Sequence, residues 1–471
     1  MEFENVSAYI EKMYNTCMWV TDRHRHALYS LHKERNLSIE EIQSLVEKNT
    51  EIAKRNFSKV FKRMGNKKEY YTLPICVFPA GELSEVVITC KYKYQKLVGQ
   101  YKVIVSPFYN YDYKASSLYE PYSAIINAKD NTLVIPFLFD REDMYSINVF
   151  YLLDDEEILL VSSNVYAVNR DLYERKYYKA DLHMHTTYSD GYEPPELVVA
   201  SARERGMDII AVTDHNAFSG SVVAREKAAD LGLDMTVILG EEYSLEYSPM
   251  HILGLGTEKE IDRKYLTKQV LEMPETKKIL ESNLTLSCDV EVYACTQVLL
   301  DQVAKMGGIS ILAHPYWKPI ALNGSRMDTP ENVYIELGKD RKFAGIEIVS
   351  GSPDGEFNVS NLQASLARII LGNFGGLPII GITDSHYYTT DPISGKHFTI
   401  VFAKSKSKEH VLKALSDGFT VAVELVNGTP LCYGEHRLVK FAEFLLKSYF
   451  PTRDLAARIE AVSAKQTHIL R

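Results

Sequence analysis

A chain of 471 residues is long for a single core and implies two or three domains. Its 46 % apolar and 24 % charged residues are the balance of a globular protein in water, and no apolar run approaches the ~18–20 residues that cross a membrane. The net charge of -9 argues against a general nucleic-acid binder and an anionic-membrane surface, but not against an anionic substrate, because bound metal inverts a local field.

Met1–Ser7 has neither a basic n-region nor an apolar h-region. The six cysteines (Cys17, Cys76, Cys90, Cys288, Cys295 and Cys432) are scattered with no CxxC pair. Both features point to a cytoplasmic protein whose reduced thiols serve as small buried hydrophobes.

Glu2–Arg63 reads as helical, with Val6, Tyr9, Ile10, Met13 and Tyr14 at helical spacing and a capping box at Ser38-Ile39-Glu40-Glu41. The His24-Arg25-His26 pair in this segment falls on a helix, where residues two apart do not share a face, so it is read as a solvated surface. Between Tyr70 and Asn169, runs such as Val86–Cys90, Tyr101–Val105, Thr132–Phe137 and Ser146–Leu152 alternate and are split by turn clusters. About six strands in this stretch predict a small antiparallel β-sandwich. Its many tyrosines, with no accompanying basic stripe, are read as strand packing rather than a stacking platform.

From Lys179 the pattern becomes strand–helix–strand. The predicted strands are Lys179–His185, Met207–Thr213, Met235–Leu239, Met250–Leu255, Ile309–Ala313, Phe343–Val349 and Pro378–Thr383. The predicted helices are Pro194–Arg205, Ser219–Leu231, Cys295–Lys305 and Val359–Leu371. Buried parallel strands alternating with helices mean an α/β barrel or a doubly wound sheet, and polar residues gathered at C-terminal strand ends favour the barrel. The expected domains are a helical segment over 1–64, the β-sandwich over 65–175, the barrel over 176–425 with a helical insertion at 257–294, and a helical extension over 426–471.

The chemistry gathers on one face. In the stretch Ala180–Gly191, strand alternation points His183 and His185 the same way, and Asp190 follows in a polar turn. His215, Glu242, His251, His314, Asp384 and His386 then fall at strand ends or starts. A zinc-type catalytic ion takes about three protein ligands and keeps one position open, so nine candidates fit two or three ions.

These segments, DLHMHTTYSDG, AVTDHN, GEEYS followed by MHILG, ILAHP and GITDSH, resemble in order the motifs of the PHP (polymerase and histidinol phosphatase) superfamily, in its stand-alone phosphoesterase branch. The resemblance covers about Lys179 to Glu424. It implies a distorted (β/α)7 TIM-like barrel with a trinuclear centre of Mn, Zn or Fe. By motif, His183, His185 and Asp384 would hold one ion with Glu242 as a bridge; Glu242, His251 and His314 a second; and Asp190, His215 and His386 a third. The family's G-x-E pattern selects Glu242 over Glu241, and Asp214 would orient a histidine.

Clustered cations would neutralise phosphate oxygens and turn water into hydroxide near pH 7, with Asp190, His215 and Glu242 as the catalytic groups. The expected activity is hydrolysis of a small phosphorylated metabolite such as a nucleotide or sugar phosphate. A nucleic-acid partner is not expected beyond a short nucleotide product, and a homo-oligomer is allowed. Hydrolysis of a non-phosphate ester or amide, and a metal-binding sensor acting through the N-terminal domain, are the alternatives. Tyr316, Trp317, Lys318 and Arg326, on the loop after His314-Pro315, and His397 are the candidate substrate contacts.

Overall fold

The computed structural model describes residues 6–12, 22–35, 37–48, 71–72, 76–90, 97–108, 111–112, 117–118, 120–153, 156–316, 330–339, 343–350, 360–374 and 378–469. The chain divides into two compact units, Met1–Tyr173 and Glu174–Arg471.

The first unit opens with helices over 6–12, Asp22–Arg35 and 39–48. Val6, Ile10, Leu28, Ile42 and Val46 form their small shared core. The third helix starts on a reciprocal cap. Ser38 N donates to Glu41 Oε2 at 2.9 Å and Glu41 N donates to Ser38 Oγ at 3.3 Å.

Two sheets follow. One has the order Tyr71–Thr72, Leu83–Cys90, Thr132–Leu138; the other runs Val77–Pro79, Glu156–Val168, Asp143–Leu153, Gln100–Pro107, Tyr122–Asn127. Alternation along Gln100–Pro107 buries every second side chain, and Val86, Ile88 and Ile135 of one sheet share a core with Tyr101, Val103 and Ile147 of the other. The pairings are antiparallel, as expected, except that Val77–Pro79 lies parallel to Glu156–Val168. Tyr101 and Tyr145 are fully buried and pack against neighbouring rings, so these tyrosines build the core.

The second unit is mixed α/β with a strongly curled sheet. One sheet has the order Thr236–Val237, Ile209–Ile210, Lys176–Asp181, His397–Ala403, Thr420–Val426, Thr429–Gly434; the other Gly240–Ser244, His251–Leu255, Ile309–Leu312, Gly345–Val349, Ile379–Gly381. Ala180, Ile209 and Val401 of the first share one core with Leu253, Ile311 and Ile380 of the second. Isolated parallel bridges, Met184 with Ser385 and His215 with Glu242, link the sheets beyond the strand ends.

Not every strand is parallel. His251–Leu255 is antiparallel to both neighbours, because the short link from Ser244 has no room for a crossover helix. The predicted extension from 426 begins instead inside a hairpin, Thr420–Val426 with Thr429–Gly434. The helix His436–Ser448 then buries Leu438, Phe441, Phe444 and Leu445, and Phe441 stacks on Phe402 of the sheet. The last helix, Phe450–Ile469, packs on Pro195–Glu204.

Candidate metal centre

The strand Lys176–Asp181 ends in an extended continuation. His185 N donates to Ser385 O at 2.9 Å and Asp384 N to His183 O at 3.0 Å. Alternation therefore holds past the ladder, sending Leu182 and Met184 into the apolar core and both imidazoles to the other side. Asp384 sits at φ 53, a left-handed conformation that costs a non-glycine residue energy, at the point where it turns its carboxylate to the histidines.

Glu242 is the centre of the cluster. Its Oε2 lies 3.1 Å from His183 Nε2, 3.2 Å from His185 Nε2 and 3.1 Å from His215 Nδ1. Its Oε1 lies 2.9 Å from His251 Nδ1 and 3.0 Å from His314 Nε2. Asp384 Oδ1 adds contacts of 3.2 Å to His183 and 3.1 Å to His185. Asp190 joins from the turn, its Oδ2 3.3 Å from His386 Nε2 and 3.6 Å from His215 Nε2.

Burial falls across the site. His183, His185 and Glu242 have no exposed surface, whereas the side chains of Asp190, His215 and His386 are 55 %, 25 % and 20 % exposed. The Asp190 side is therefore the mouth. Strand alternation separates the two adjacent glutamates. Glu242 enters the cluster, and Glu241 turns away to accept from Ile261 N at 3.1 Å.

Burial alone would depress His183 and His185, but the carboxylates around them win. His183 is raised by Glu242, Asp384 and Glu347, and His185 is pushed up to about 9 by Asp384 and Glu242. Burial opposes ionisation of Glu242 and Asp384 too, yet the surrounding imidazoles hold both below the usual carboxylate range. His215 goes the other way, down to about 4, because burial outweighs Glu242 and because His185 and His251 add like charge.

Outer contacts orient these groups. Glu347, alone in the apolar strand Gly345–Val349, accepts from the His183 ring (Nδ1 to Oε1, 2.9 Å) and from His314 N (2.7 Å to Oε2). Glu347 lies within the predicted strand Phe343–Val349, and a single charge in GIEIV was the available signal for its role. His386 Nδ1 meets Asp384 O at 3.0 Å and His215 Nδ1 meets Ser244 Oγ at 2.8 Å. Asp214, expected to orient a histidine, instead accepts from Thr186 N, Thr186 Oγ1 and Ser189 Oγ, each at 2.7 Å. It stiffens the turn carrying Asp190.

Of the candidate substrate contacts, His397 and Tyr316 are not drawn into this cluster. His397 is buried on its strand with Nε2 3.8 Å from Glu424 Oε1, and Tyr316 OH donates to Glu331 Oε1 at 2.7 Å. Trp317, Lys318 and Arg326 lie outside the described residues.

The donor set fits divalent ions. Among the described residues four groups bring their ligand atoms within 4.8 Å of one another: His183-His185-Glu242-Asp384, His185-Asp190-His215-His386, His215-Glu242-His251 and His183-His314-Glu347. Glu242 Oε2 is buried with no hydrogen bond of acceptable geometry, although three imidazole nitrogens surround it. Imidazole nitrogens and carboxylate oxygens suit zinc, manganese and iron.

A family model described as the PHP domain matches residues 181–362, which include every cluster residue except Asp384 and His386. The chain is 25 % identical over 149 residues to an uncharacterised protein of Methanocaldococcus jannaschii, covering 29 % of this chain and 68 % of that one. It is 41 % identical over 78 residues to the 5′-3′ exoribonuclease Rnm of Salmonella typhimurium, covering 16 % of this chain and 27 % of that one. It is also 41 % identical over 83 residues to the phosphoribosyl 1,2-cyclic phosphate 1,2-diphosphodiesterase of Eggerthella lenta, covering 17 % of this chain and 31 % of that one. The chain thus spans less than a third of either enzyme. Most of the ordered motifs and converging ligands fall within the stretch matched by the family model, and residues 181–362 match the PHP domain.

Proposed function

We propose that this chain is a metal-dependent phosphoesterase acting on a small phosphorylated metabolite, a nucleotide or a sugar phosphate. The observation that carries this reading is Glu242, a fully buried carboxylate with five imidazoles within 3.2 Å. The two named enzymes similar to this chain both act, by their names, on phosphate esters of ribose-containing molecules.

In this reading His183, His185 and Asp384 hold one ion, His251 and His314 a second with Glu242 shared between them, and Asp190, His215 and His386 a third. In the same reading the reaction runs on a distorted (β/α)7 barrel over 176–425, preceded in the sequence by a helical segment over 1–64 and a sandwich over 65–175. Ions there would offset phosphate charge and make water acidic enough to react near neutral pH. The protein's own contribution is orientation and control of charge. Glu347 fixes the His183 ring, and Ser244 fixes His215. His215, with its pKa down to about 4, is neutral at working pH and keeps a nitrogen free to ligate an ion. Asp190, exposed at the mouth, is kept ionised: burial opposes its charge, but His386, His185 and His215 outweigh burial and hold its carboxyl well below the usual carboxylate range.

Elemental analysis of the purified chain, paired with a phosphate-release screen over nucleotides, bisphosphates and sugar phosphates, tests this. We expect two or three ions per chain and one preferred phosphoester. Glu242→Gln should lose both metal and turnover, and Glu347→Gln should weaken metal affinity about 10- to 100-fold. A metal-free chain, or wild-type turnover in Glu242→Gln, would overturn the assignment. Metal without phosphate release would move the reaction to carbonyl hydrolysis.

A further inference from the structure

The other end of the same central strand carries a second concave site. A cavity of about 800 Å³ opens beside Lys176 and is closed on one side by the C-terminal helix Phe450–Ile469. Its volume is that of a small-molecule pocket. Lys176 begins the strand and His183 lies seven residues on, so the cavity and the metal cluster are roughly 20 Å apart along the strand.

The lining inverts the sign of the molecule. Arg175, Lys176, Arg203, Lys406 and Arg453 face only three carboxylates, Asp208, Asp234 and Glu460, in a chain whose net charge is -9. Those carboxylates are already committed. Asp208 accepts from Lys179 N at 2.9 Å and pairs with Arg203 and Arg453; Glu460 pairs with Arg203 at 2.7 Å; Asp234 pairs with Lys406. Lys176 remains exposed at the rim.

Arg453 is the sharpest sign. Its two terminal nitrogens are used by Asp208 and by Gly206 O, but its Nε–H is buried with no acceptor. A seam that only fastened a helix would cancel its charges and close its gap. Arg175 is taken up by Phe402 O and the Phe419 ring, but the seam leaves the exposed Lys176 ammonium, an unused guanidinium donor and an open volume, with Tyr177, Tyr178 and Tyr449 as partly apolar walls.

We infer that this cavity binds a polyvalent phosphate, inorganic or carried on a nucleoside, with Arg453 and Lys176 as its principal contacts. Arginine forks and lysine ammonium groups are the usual partners of such anions. The site does not depend on the metal cluster, so it is tested with the metal removed.

Pyrophosphate and ADP would be titrated separately, by calorimetry, into the full-length chain stripped of metal by a chelator that is then dialysed away. We expect one site per chain, weakened at least tenfold by Lys176→Glu and by Arg453→Gln, and weakened by added salt. Lys176→Glu alters an exposed side chain, so circular dichroism should match wild type and separate binding from folding. Tighter ADP than pyrophosphate would assign the nucleoside-borne ligand; equal or weaker ADP would assign the bare phosphate. No binding of either probe, or binding unchanged in Lys176→Glu, would overturn the inference.

Discussion

Glu242 and His397 show how much a buried ionisable residue depends on what faces it. Glu242 lies among five imidazoles and stays ionised. His397 has a single carboxylate at 3.8 Å, its Nδ1 is buried without a partner, and burial, helped by Lys396, pushes its pKa down to about 4. An unfolded histidine titrates near 6.5. Above that pH both states are neutral and His397 has no effect on the balance. Between about 6.5 and 4 the unfolded chain takes a proton that the folded chain refuses, so stability falls as the pH falls through this window. In metal-stripped protein, urea unfolding at pH 7.5 and pH 5 should show a loss that His397→Asn reduces by about 2 kcal/mol. An equal loss in both proteins would mean the imidazole is protonated in the fold. At this scale the sequence was legible where chemistry repeats in a motif. The nine cluster residues stand in short, ordered motifs, and the structure gathers their side chains. Glu347 and the true partners of Asp214 were hidden because each acts on residues 33 to 164 or 25 to 28 positions away, and no local pattern records such a contact.

Elements tell a similar story about what is local. The helices Pro195–Glu204 and Ser219–Asp230 differ from their predicted bounds by one residue at most ends, since capping and periodicity are short-range. The strand predicted over Met207–Thr213 forms a regular ladder only at Ile209–Ile210, and its continuation stays bonded to the first strand through Ala211 N to Asp181 O at 3.0 Å and Thr213 N to Met184 O at 2.9 Å as it delivers Asp214 and His215. The helical insertion expected over 257–294 opens with two 3-10 turns, Arg263–Tyr265 and Lys268–Glu272, started by side-chain caps from Asp262 and Thr267 that compete with a continuous helix. Pro451 occupies the first turn of the final helix, where a missing N–H costs nothing. The turn after His185 is the element most exposed to a single change. A Cβ on Gly191 would lie 2.5 Å from the backbone carbon of His185 and 2.6 Å from Thr186 N. Gly191→Ala should therefore shift the turn that carries Asp190, cost about 1–3 kcal/mol and lower the metal content at the mouth. Calorimetric melting and elemental analysis check it; unchanged metal content would show that Asp190 tolerates the displacement.

Over the whole molecule, two compact units divide the work of folding, and among the described residues no helix is long and apolar enough to cross a membrane. In the second unit, charge fastens the final helix to the underside of the sheet. Lys179, 6 % exposed at its side chain, meets Asp454 at 2.5 Å, and Arg203 meets Glu460 at 2.7 Å. Burial lowers the pKa of Lys179 and Asp454 opposes that shift, so removing the carboxylate leaves a buried cation uncompensated. Asp454→Ala should cost about 3 kcal/mol in urea unfolding, more than a surface pair would, while leaving the metal content of folded protein unchanged.

The pairing of Met184 with Ser385 has a consequence in time. His185 and Asp384 touch across 199 residues of chain, so during synthesis the first half of the cluster waits while the intervening strands are made. Until the segment carrying Asp384 and His386 leaves the ribosome, the earlier histidines have no closing partner and can hold an ion only loosely. Metal loading is therefore tied to the late completion of the sheet. A nascent chain stalled before that point leaves its ligands open to whatever cation the cell offers.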